Sequence, residues 1–209
     1  GSTAVGKLVY KMAAERLVPV TLELGGKSPC VVEEDANIKI AAKRIAMTKF
    51  SNAGQMCVAP DYVLVHESRK EELIAGLKKS IHGFFGDKPE DSENYGKIIN
   101  GKQFDRLVKY LQKGQLLHGG RNDKEKLFIE PTVISNVSLD ADIMKDEIFG
   151  PILPVISFSS KAEALKIIAQ NKNPLAFYVF TSSSAKEKDW LNSVAFGGGC
   201  INNASWHLT

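Results

Sequence analysis

The chain has 209 residues, of which 44% are hydrophobic and 24% charged, so disordered, collagen-like and disulfide-scaffold chains are excluded. The net charge of +3 is spread along the sequence without a basic run, which argues against nucleic-acid binding. No apolar stretch approaches the roughly 20 residues that span a bilayer. With only three scattered cysteines, we expect a soluble, cytoplasmic protein.

Hydrophobic periodicity predicts the elements in chain order. Ser2 or Thr3 caps a first helix whose apolar positions run to Ala13. Alternation predicts a strand over 18–24 that ends at a Gly-Gly pair. Further helices are expected over 36–50, 70–81, 102–111, 162–170 and 185–193. Further strands are expected near 31–32, 62–65, 115–117, 128–130, 153–157, 177–180 and 199–202. Strands that alternate with three-turn helices indicate an α/β fold with a parallel sheet.

Cys57 is the cysteine whose position favours chemistry, because it lies between the loop 51–55 and a predicted strand. A free cysteine is usually a small buried apolar group, and we expect this of Cys30 and Cys200. A nucleophilic role for Cys57 needs a lowered pKa or a nearby base to supply the thiolate.

Glu23 is the odd residue in an apolar segment, at the end of the predicted strand, where α/β sheets bind ligands. It is either a general base, which partial burial would favour by raising its pKa, or an edge-strand charge that faces water. The segment 145–151 (KDEIFGP) is a structured turn or a functional loop. The Ser2 cap could bind a phosphate, although any helix cap of this type looks similar.

Two other classes of site find no support. The four histidines lack ligand spacing to one another or to the cysteines, so we expect no metal. The Gly-x-Ser-x-Gly elbow of a serine hydrolase is absent from the sequence.

Taken in order, four segments resemble the aldehyde dehydrogenase superfamily: 1–7 (GSTAVGK), 22–29 (LELGGKSP), 54–57 (GQMC) and 147–151 (EIFGP). Two shorter segments, 130–132 (EPT) and 174–176 (PLA), support the match, which covers essentially the whole chain. Residues 57–62 (CVAPDY) and 150–154 (GPILP) look most like the class 3 branch, which acts on fatty and aromatic aldehydes.

The resemblance implies oxidation of an aldehyde to the acid with NAD or NADP. Cys57 falls on the family nucleophile, which forms a thiohemiacetal and then a thioester. Glu23 falls on the general base that activates the hydrolytic water. A backbone N–H donor at Cys57 would stabilise the oxyanion, and such a donor is worth about 3–4 kcal/mol.

The resemblance also implies the residues that hold the cofactor. Glu147 falls on the carboxylate that binds the nicotinamide ribose, and Phe149 on the aromatic residue beside that ribose and ring. Leu24 and Gly25 lie where backbone approaches the nicotinamide. Ser2 falls where a helix N-terminus meets the pyrophosphate.

The implied domain organisation has two parts. Residues 1–25 match the last helix and strand of a Rossmann-like cofactor domain, and 26–209 match a parallel-sheet catalytic domain cut before the oligomerisation arm. Residues 197–203 and 205–208 match the family segment at the substrate entrance. We expect a small-molecule aldehyde substrate, homo-oligomers of the full-length protein, and neither nucleic acid nor metal as a partner.

The chain as given is expected to bind cofactor weakly or not at all and to be inactive, because the upstream cofactor sheet and an asparagine oxyanion donor of the family are missing. Apolar surface left uncovered there favours self-association. Two alternatives stay open. One is a cysteine esterase or thioesterase that uses Cys57 with Glu23, and the other is an interaction domain or pseudoenzyme that kept the fold.

Overall fold

The computed structural model describes residues 1–205 and residue 207. A seven-stranded sheet forms its centre, and a small hairpin stands apart from it. The strands in chain order are β1 (Pro29–Val32), β2 (Tyr62–His66), β3 (Gln115–His118), β4 (Asn122–Asp123), β5 (Phe128–Ile129), β6 (Thr132–Ser135), β7 (Ile152–Phe158), β8 (Ala176–Phe180) and β9 (Gly198–Ile201).

The order across the large sheet is β3-β6-β7-β2-β1-β8-β9, while β4 and β5 form the hairpin. Neighbouring strands run parallel except β3, which runs antiparallel to β6. The sheet is therefore mixed and mostly parallel. Every residue of β1, β6 and β8 is buried, so both faces of the sheet are covered.

Seven helices are found among the described residues: α1 (Thr3–Ala14), α2 (Ile38–Phe50), α3 (Lys70–Phe85), α4 (Gly101–Tyr110), α5 (Asp142–Lys145), α6 (Lys161–Ile168) and α7 (Ser184–Ser193). Most of them begin at a side-chain cap, which satisfies an amide at the helix start. The capping residues are Ser2, Asn37, Asn100, Ser160 and Ser183.

Most of the predicted elements are confirmed, and the differences have physical causes. The strand expected over 18–24 is wrong: these residues form no strand, because none of the described strands pairs with them. The sequence did not predict β6, since its four residues are buried throughout and show no alternation. The expectation of a parallel sheet fails at β3, which runs antiparallel to β6, and at β5, which pairs antiparallel with β4 in the separate hairpin.

The N-terminal helix is the most exposed element. The side chains of Leu8, Tyr10 and Met12 on α1 are each more than half exposed. Gly6 is buried, because the side chain of Leu24 lies against it. Self-association through this surface stays a prediction, and so does the division into domains at residues 25 and 26.

None of the helices in the described part of the chain is both long and apolar enough to cross a membrane.

Candidate active site

Three loops meet at one edge of the sheet. Residues 23–28 lead into β1, 55–61 lead into β2, and 143–150 lead into β7. Since β7, β2 and β1 are parallel neighbours, these loops lie side by side at the amino ends of the strands. The expectation that Glu23 ends a strand is therefore wrong: Glu23 precedes β1.

A buried ion pair between Lys27 and Asp61 fastens the three loops together. The backbone N–H of Asp61 donates to the carbonyl of Ser28 at 2.8 Å. Its Oδ1 accepts from the backbone N–H of Ile148 at 2.9 Å. The carboxylate at the start of β2 thus binds both neighbouring loops.

Lys27 also binds the backbone of the loop that carries Glu147. Its Nζ donates to the carbonyl of Ile143 at 2.8 Å and to that of Asp146 at 3.2 Å. The backbone is therefore held immediately before Glu147 by Lys27 and immediately after it by Asp61. Both charged groups are nearly inaccessible to solvent, and each compensates the charge of the other.

The loop before Cys57 has an unusual backbone. Asn52, Ala53 and Gly54 have φ values of 49°, 51° and 72°, three left-handed residues in succession. A Cβ at Gly54 would lie 2.2 Å from the carbonyl oxygen of Gly150. Only glycine combines this φ with so close an approach, so the Cys57 loop packs directly on the Glu147 loop.

Side-chain amides and a hydroxyl hold the same loop from outside. The carboxamide of Gln55 donates to the carbonyl of Lys97 at 2.9 Å and accepts from the N–H of Ile99 at 3.0 Å. The hydroxyl of Tyr178 donates to the carbonyl of Val58 at 2.6 Å. Cys57 itself is exposed, and its N–H takes part in no hydrogen bond found among the described residues.

The carboxylate of Glu147 lies against Gly25. A Cβ at Gly25 would lie 1.7 Å from Oε2 of Glu147, so this position has room for no side chain. The other oxygen, Oε1, is buried and has no hydrogen-bond partner within the described part of the chain. A buried acceptor without a donor, beside a glycine that leaves no room for a side chain, fits a ligand that brings a hydrogen-bond donor to this point.

The ionisation of this carboxylate is shifted by its surroundings. Burial, and then the negative charge of Asp61, raise the pKa of Glu147 to about 7, against the opposing effect of Lys49. Burial lowers the pKa of Lys49 to about 8. Both groups therefore titrate near neutral pH.

The structure brings the other predicted cofactor residues to this edge. The Ser2 hydroxyl caps α1 by accepting from the N–H of Val5. Leu24 packs on Gly6 of that helix, and the N–H of Gly25 donates to the carbonyl of Gly1. Phe149 is exposed and has a left-handed backbone, with φ of 46°.

Glu23, Cys30 and Cys200 are the remaining residues for which the sequence made a prediction. Glu23 is exposed rather than partly buried, and no hydrogen bond joins it to Cys57 in the described structure. Cys30 is buried as expected, and burial raises the pKa of its thiol. Cys200 is half-exposed, which corrects the expectation of burial, because the sheet edge at β9 is open. Its Sγ lies 3.8 Å from Nδ1 of His207.

Positions 206 and 208, in the segment predicted at the substrate entrance, lie outside the described residues. Sequence reasoning also missed Lys27, Lys49 and Asp61 as parts of the site. A signal for Lys49 existed: it follows Ile45 by four residues, on the same face of α2 as the apolar positions.

Comparison with known proteins identifies relatives over the full length of the chain. The sequence profile of the Aldehyde dehydrogenase family matches residues 1–208. The 4,4'-diaponeurosporen-aldehyde dehydrogenase of Staphylococcus aureus is 48% identical over 100% of this chain and 46% of its own length. The mouse "Aldehyde dehydrogenase, dimeric NADP-preferring" is 43% identical over 100% of this chain and 46% of its own length.

A human relative, "Aldehyde dehydrogenase family 3 member B1", is 44% identical over 100% of this chain and 45% of its own length. A solved substrate-bound structure of Staphylococcus aureus AldH superposes with a TM-score of 0.96 at 47% identity, over 100% of this chain and 46% of that one. The chain spans about half the length of the curated relatives it matches. The likeness to class 3 enzymes is thereby confirmed.

Proposed function

This chain belongs to the aldehyde dehydrogenase family, and on that premise we propose that it carries the catalytic half of an enzyme that oxidises an aldehyde to the carboxylic acid with NAD+ or NADP+. The observation that carries the proposal is the pairing of two features at one sheet edge. One is the exposed thiol of Cys57 with an unengaged N–H, and the other is the buried, partnerless Oε1 of Glu147.

Cys57 is the proposed nucleophile. Its thiolate adds to the aldehyde carbon to give a thiohemiacetal, and the negative charge moves to the former carbonyl oxygen. The N–H of Cys57 is available to donate to that oxygen, because the described structure engages it nowhere else. The left-handed turn before Cys57 holds this donor in place.

Glu147 and Gly25 are the proposed holders of the nicotinamide ribose. An ionised carboxylate accepts hydrogen bonds from two hydroxyl groups, and the glycine leaves room for close approach. Phe149 offers an exposed ring beside them, Leu24 and Gly25 offer backbone, and Ser2 lies at a helix N-terminus suited to the pyrophosphate. When bound, the cofactor accepts the hydride from the thiohemiacetal carbon.

Glu23 is the proposed general base. Hydride loss converts the thiohemiacetal to a thioester on Cys57, which water must hydrolyse to release the acid. An exposed carboxylate takes a proton from such a water, and the thiolate leaves.

We propose an apolar aldehyde as substrate, which agrees with the class 3 likeness and with the named substrate of the Staphylococcus aureus relative. We also propose that the whole enzyme is a homo-oligomer, and the name of the mouse relative calls that protein dimeric. The 209-residue chain alone is expected to be silent, since it spans only 46% of that relative's length. Residues 1–25 then belong to the cofactor domain and 26–209 to the catalytic domain.

The test compares Cys57→Ser with Cys200→Ser in the full-length enzyme, assayed by the formation of reduced cofactor with a fatty and an aromatic aldehyde. We expect Cys57→Ser to lose activity by about a thousand-fold or more and Cys200→Ser to keep it. Equal activity of both variants would overturn the role of Cys57. A full-length protein that is silent with every aldehyde and both cofactors would support the pseudoenzyme alternative.

A further inference from the structure

Tyr178 carries a hydroxyl group in the middle of β8, a strand whose five residues are all buried. Tyr178 is fully buried, and the aromatic residues Phe177 and Phe180 fill the same strand without a polar group. A buried hydroxyl group destabilises the fold unless it is hydrogen-bonded. The oxygen of Tyr178 therefore needs a hydrogen-bond partner inside the protein.

The partner is the backbone beside Cys57. The hydroxyl of Tyr178 donates to the carbonyl of Val58 at 2.6 Å, although the two residues are 120 positions apart in the sequence. Burial raises the pKa of Tyr178, so the hydroxyl stays protonated and able to donate throughout the neutral pH range. This bond joins β8 to the loop that carries the proposed nucleophile.

Val58 belongs to a tight turn in which Cys57 is the second residue. The N–H of Ala59 donates to the carbonyl of Met56 at 3.1 Å, which closes a four-residue β-turn. The carbonyl of Val58 and the N–H of Ala59 belong to one peptide unit, and in a trans peptide unit these groups point in opposite directions. That peptide unit is therefore held at both ends, by Tyr178 on one side and by Met56 on the other.

The same connection continues to the N–H of Cys57. The carbonyl of Met56 and the N–H of Cys57 belong to a second peptide unit, and this N–H donates to nothing in the described structure. A hydrogen-bond relay thus runs from the hydroxyl of Tyr178 through the two peptide units and ends at a free donor. In such a series each hydrogen bond polarises the next one, and the bonds also fix the orientation of the last donor.

We propose that Tyr178 is a positioning residue for the oxyanion donor: its hydroxyl, acting through the turn, orients the N–H of Cys57 toward the oxygen of the reacting aldehyde and strengthens it as a donor. The inference rests on the proposed function, in which this N–H stabilises the negative charge that develops on that oxygen. Tyr178 acts through the turn and not on the substrate, because its hydroxyl proton is already bonded to Val58.

Tyr178→Phe tests the proposal in the full-length enzyme, because it removes one oxygen atom and keeps the ring. Tyr95→Phe is the matched control, since the hydroxyl of Tyr95 is also buried and donates to a backbone carbonyl, that of Ile129 in β5, at 2.7 Å. We expect Tyr178→Phe to lower kcat and kcat/KM by about tenfold with KM unchanged. The loss is smaller than the hundred- to thousand-fold, roughly, that follows removal of a whole oxyanion donor. Unchanged kcat in Tyr178→Phe, or an equal loss in both variants, would overturn the proposal.

Alkylation of Cys57 by iodoacetamide distinguishes a weakened donor from a damaged thiol. This reaction consumes the thiolate but forms no oxyanion, so the N–H of Cys57 does not assist it. We expect the same alkylation rate in Tyr178→Phe and in the unchanged enzyme, read from the mass of the peptide that contains Cys57. A parallel fall in alkylation rate and kcat would show a general distortion of the loop and would contradict the proposal.

Amide signals test the hydrogen-bond relay independently of the reaction. By NMR in the unchanged 209-residue chain, the N–H of Ala59 is expected to exchange slowly with solvent and that of Cys57 rapidly. Rapid exchange at Ala59, or slow exchange at Cys57, would overturn the inference without the need for any variant.

The variants add a second NMR readout. Tyr178→Phe should move the amide proton signal of Cys57 upfield, because the relay no longer polarises this N–H, and Tyr95→Phe should leave it in place. An unmoved signal in Tyr178→Phe would refute the relay. If Cys57→Ser left the full-length enzyme active, the proposed function would fall, while the relay would still stand on the amide signals.

Discussion

Two glutamates at opposite edges of the sheet differ in how their oxygens are satisfied. Glu33 follows β1 at its carboxyl end, where its Oε1 accepts from the indole N–H of Trp190 at 2.7 Å and its Oε2 from Lys186 at 2.9 Å. Glu147 precedes β7 at the amino edge, where its Oε1 has no hydrogen-bond partner in the described structure.

The two glutamates therefore have different roles. At Glu33, each oxygen has a donor, so the carboxylate fastens α7 to the end of β1 and leaves nothing for a ligand. At Glu147, the backbone is held on both sides, while Oε1 of the carboxylate has no donor among the described residues. A rigid frame around an unsatisfied acceptor is the arrangement expected of a binding site, whereas full satisfaction indicates a structural role.

The largest effect on stability is expected for Asp61→Asn, which removes the counter-charge of the buried Lys27. We expect a loss of about 3–5 kcal/mol in the free energy of unfolding, because an uncompensated charge is left inside. Asp105→Asn is the matched control, since the pair of Asp105 with Lys124 is exposed, and it should cost less than about 1 kcal/mol. Urea unfolding measures the free energy of unfolding of both variants. Equal losses would show that the ion pair of Lys27 and Asp61 does not hold the loops around Glu147.

The next-largest effect is expected in the pH dependence of the free energy of unfolding. The pKa of Glu147 is raised in the folded state, so its contribution is full below its ordinary pKa of 4.5 and lost as the pH rises through about 7. The pKa of Lys49 is lowered, so its contribution is full above 10.5 and lost as the pH falls through about 8. Lys49 alone accounts for about 3 kcal/mol.

The two effects together predict a minimum of stability between about pH 7 and 8, measurable by urea unfolding across that range. A double variant, Lys49→Met with Glu147→Gln, should flatten the minimum. The minimum would have another origin if the double variant kept it.

The same substitution at each glutamate, Glu33→Gln and Glu147→Gln, compares the two sites directly at about pH 8. Glu33→Gln replaces one of the two acceptor oxygens by an NH2 donor, so either the indole of Trp190 or the ammonium of Lys186 loses its acceptor. This is expected to cost about 1–3 kcal/mol of unfolding free energy. Glu147→Gln removes a half-buried charge whose Oε1 has no donor in the described structure, and Lys49 can release its proton near this pH, so stability should stay the same or rise. Thermal unfolding distinguishes the two, and a larger loss in Glu147→Gln would reverse the assignment of roles.

The smallest effect is expected at the glycine pair beside Glu147. A methyl group at Gly25 meets the carboxylate, whereas a methyl group at Gly26 has Leu175 as its nearest neighbour, at 3.9 Å. Gly25→Ala should therefore weaken cofactor binding in the full-length enzyme by about tenfold, or 1.4 kcal/mol, and Gly26→Ala should not. Equal cofactor affinities, measured by calorimetry, would place the cofactor elsewhere.

Much of the fold could be read from the sequence, since hydrophobic spacing alone locates α2, α3 and α6 and the buried strands β2 and β8. The segment 18–24 could not be, because its alternation is typical of a strand but a strand also needs a partner to pair with. The antiparallel course of β3 depends on contacts far along the chain, which periodicity does not encode.

The candidate site, too, could be predicted only in part from the sequence. Motif order located the loops of Cys57 and Glu147, yet it gave no sign that Asp61 would bind the N–H of Ile148 and join them. Lys49 was visible as a charge on an apolar helix face. The groups that surround its ammonium follow only from the packing of the chain, which periodicity does not encode.

The contact of Gly54 with the carbonyl of Gly150 limits how the lengths of these loops can vary. One residue inserted into either loop would displace Cys57 and Glu147 together, since each backbone rests on the other. The exposed turn at 86–88 has no such contact at Gly86 and can lengthen without moving the site. Across homologous chains, insertions should therefore gather at turns such as 86–88, while the spacing from residue 54 to 57 and from 147 to 150 stays constant.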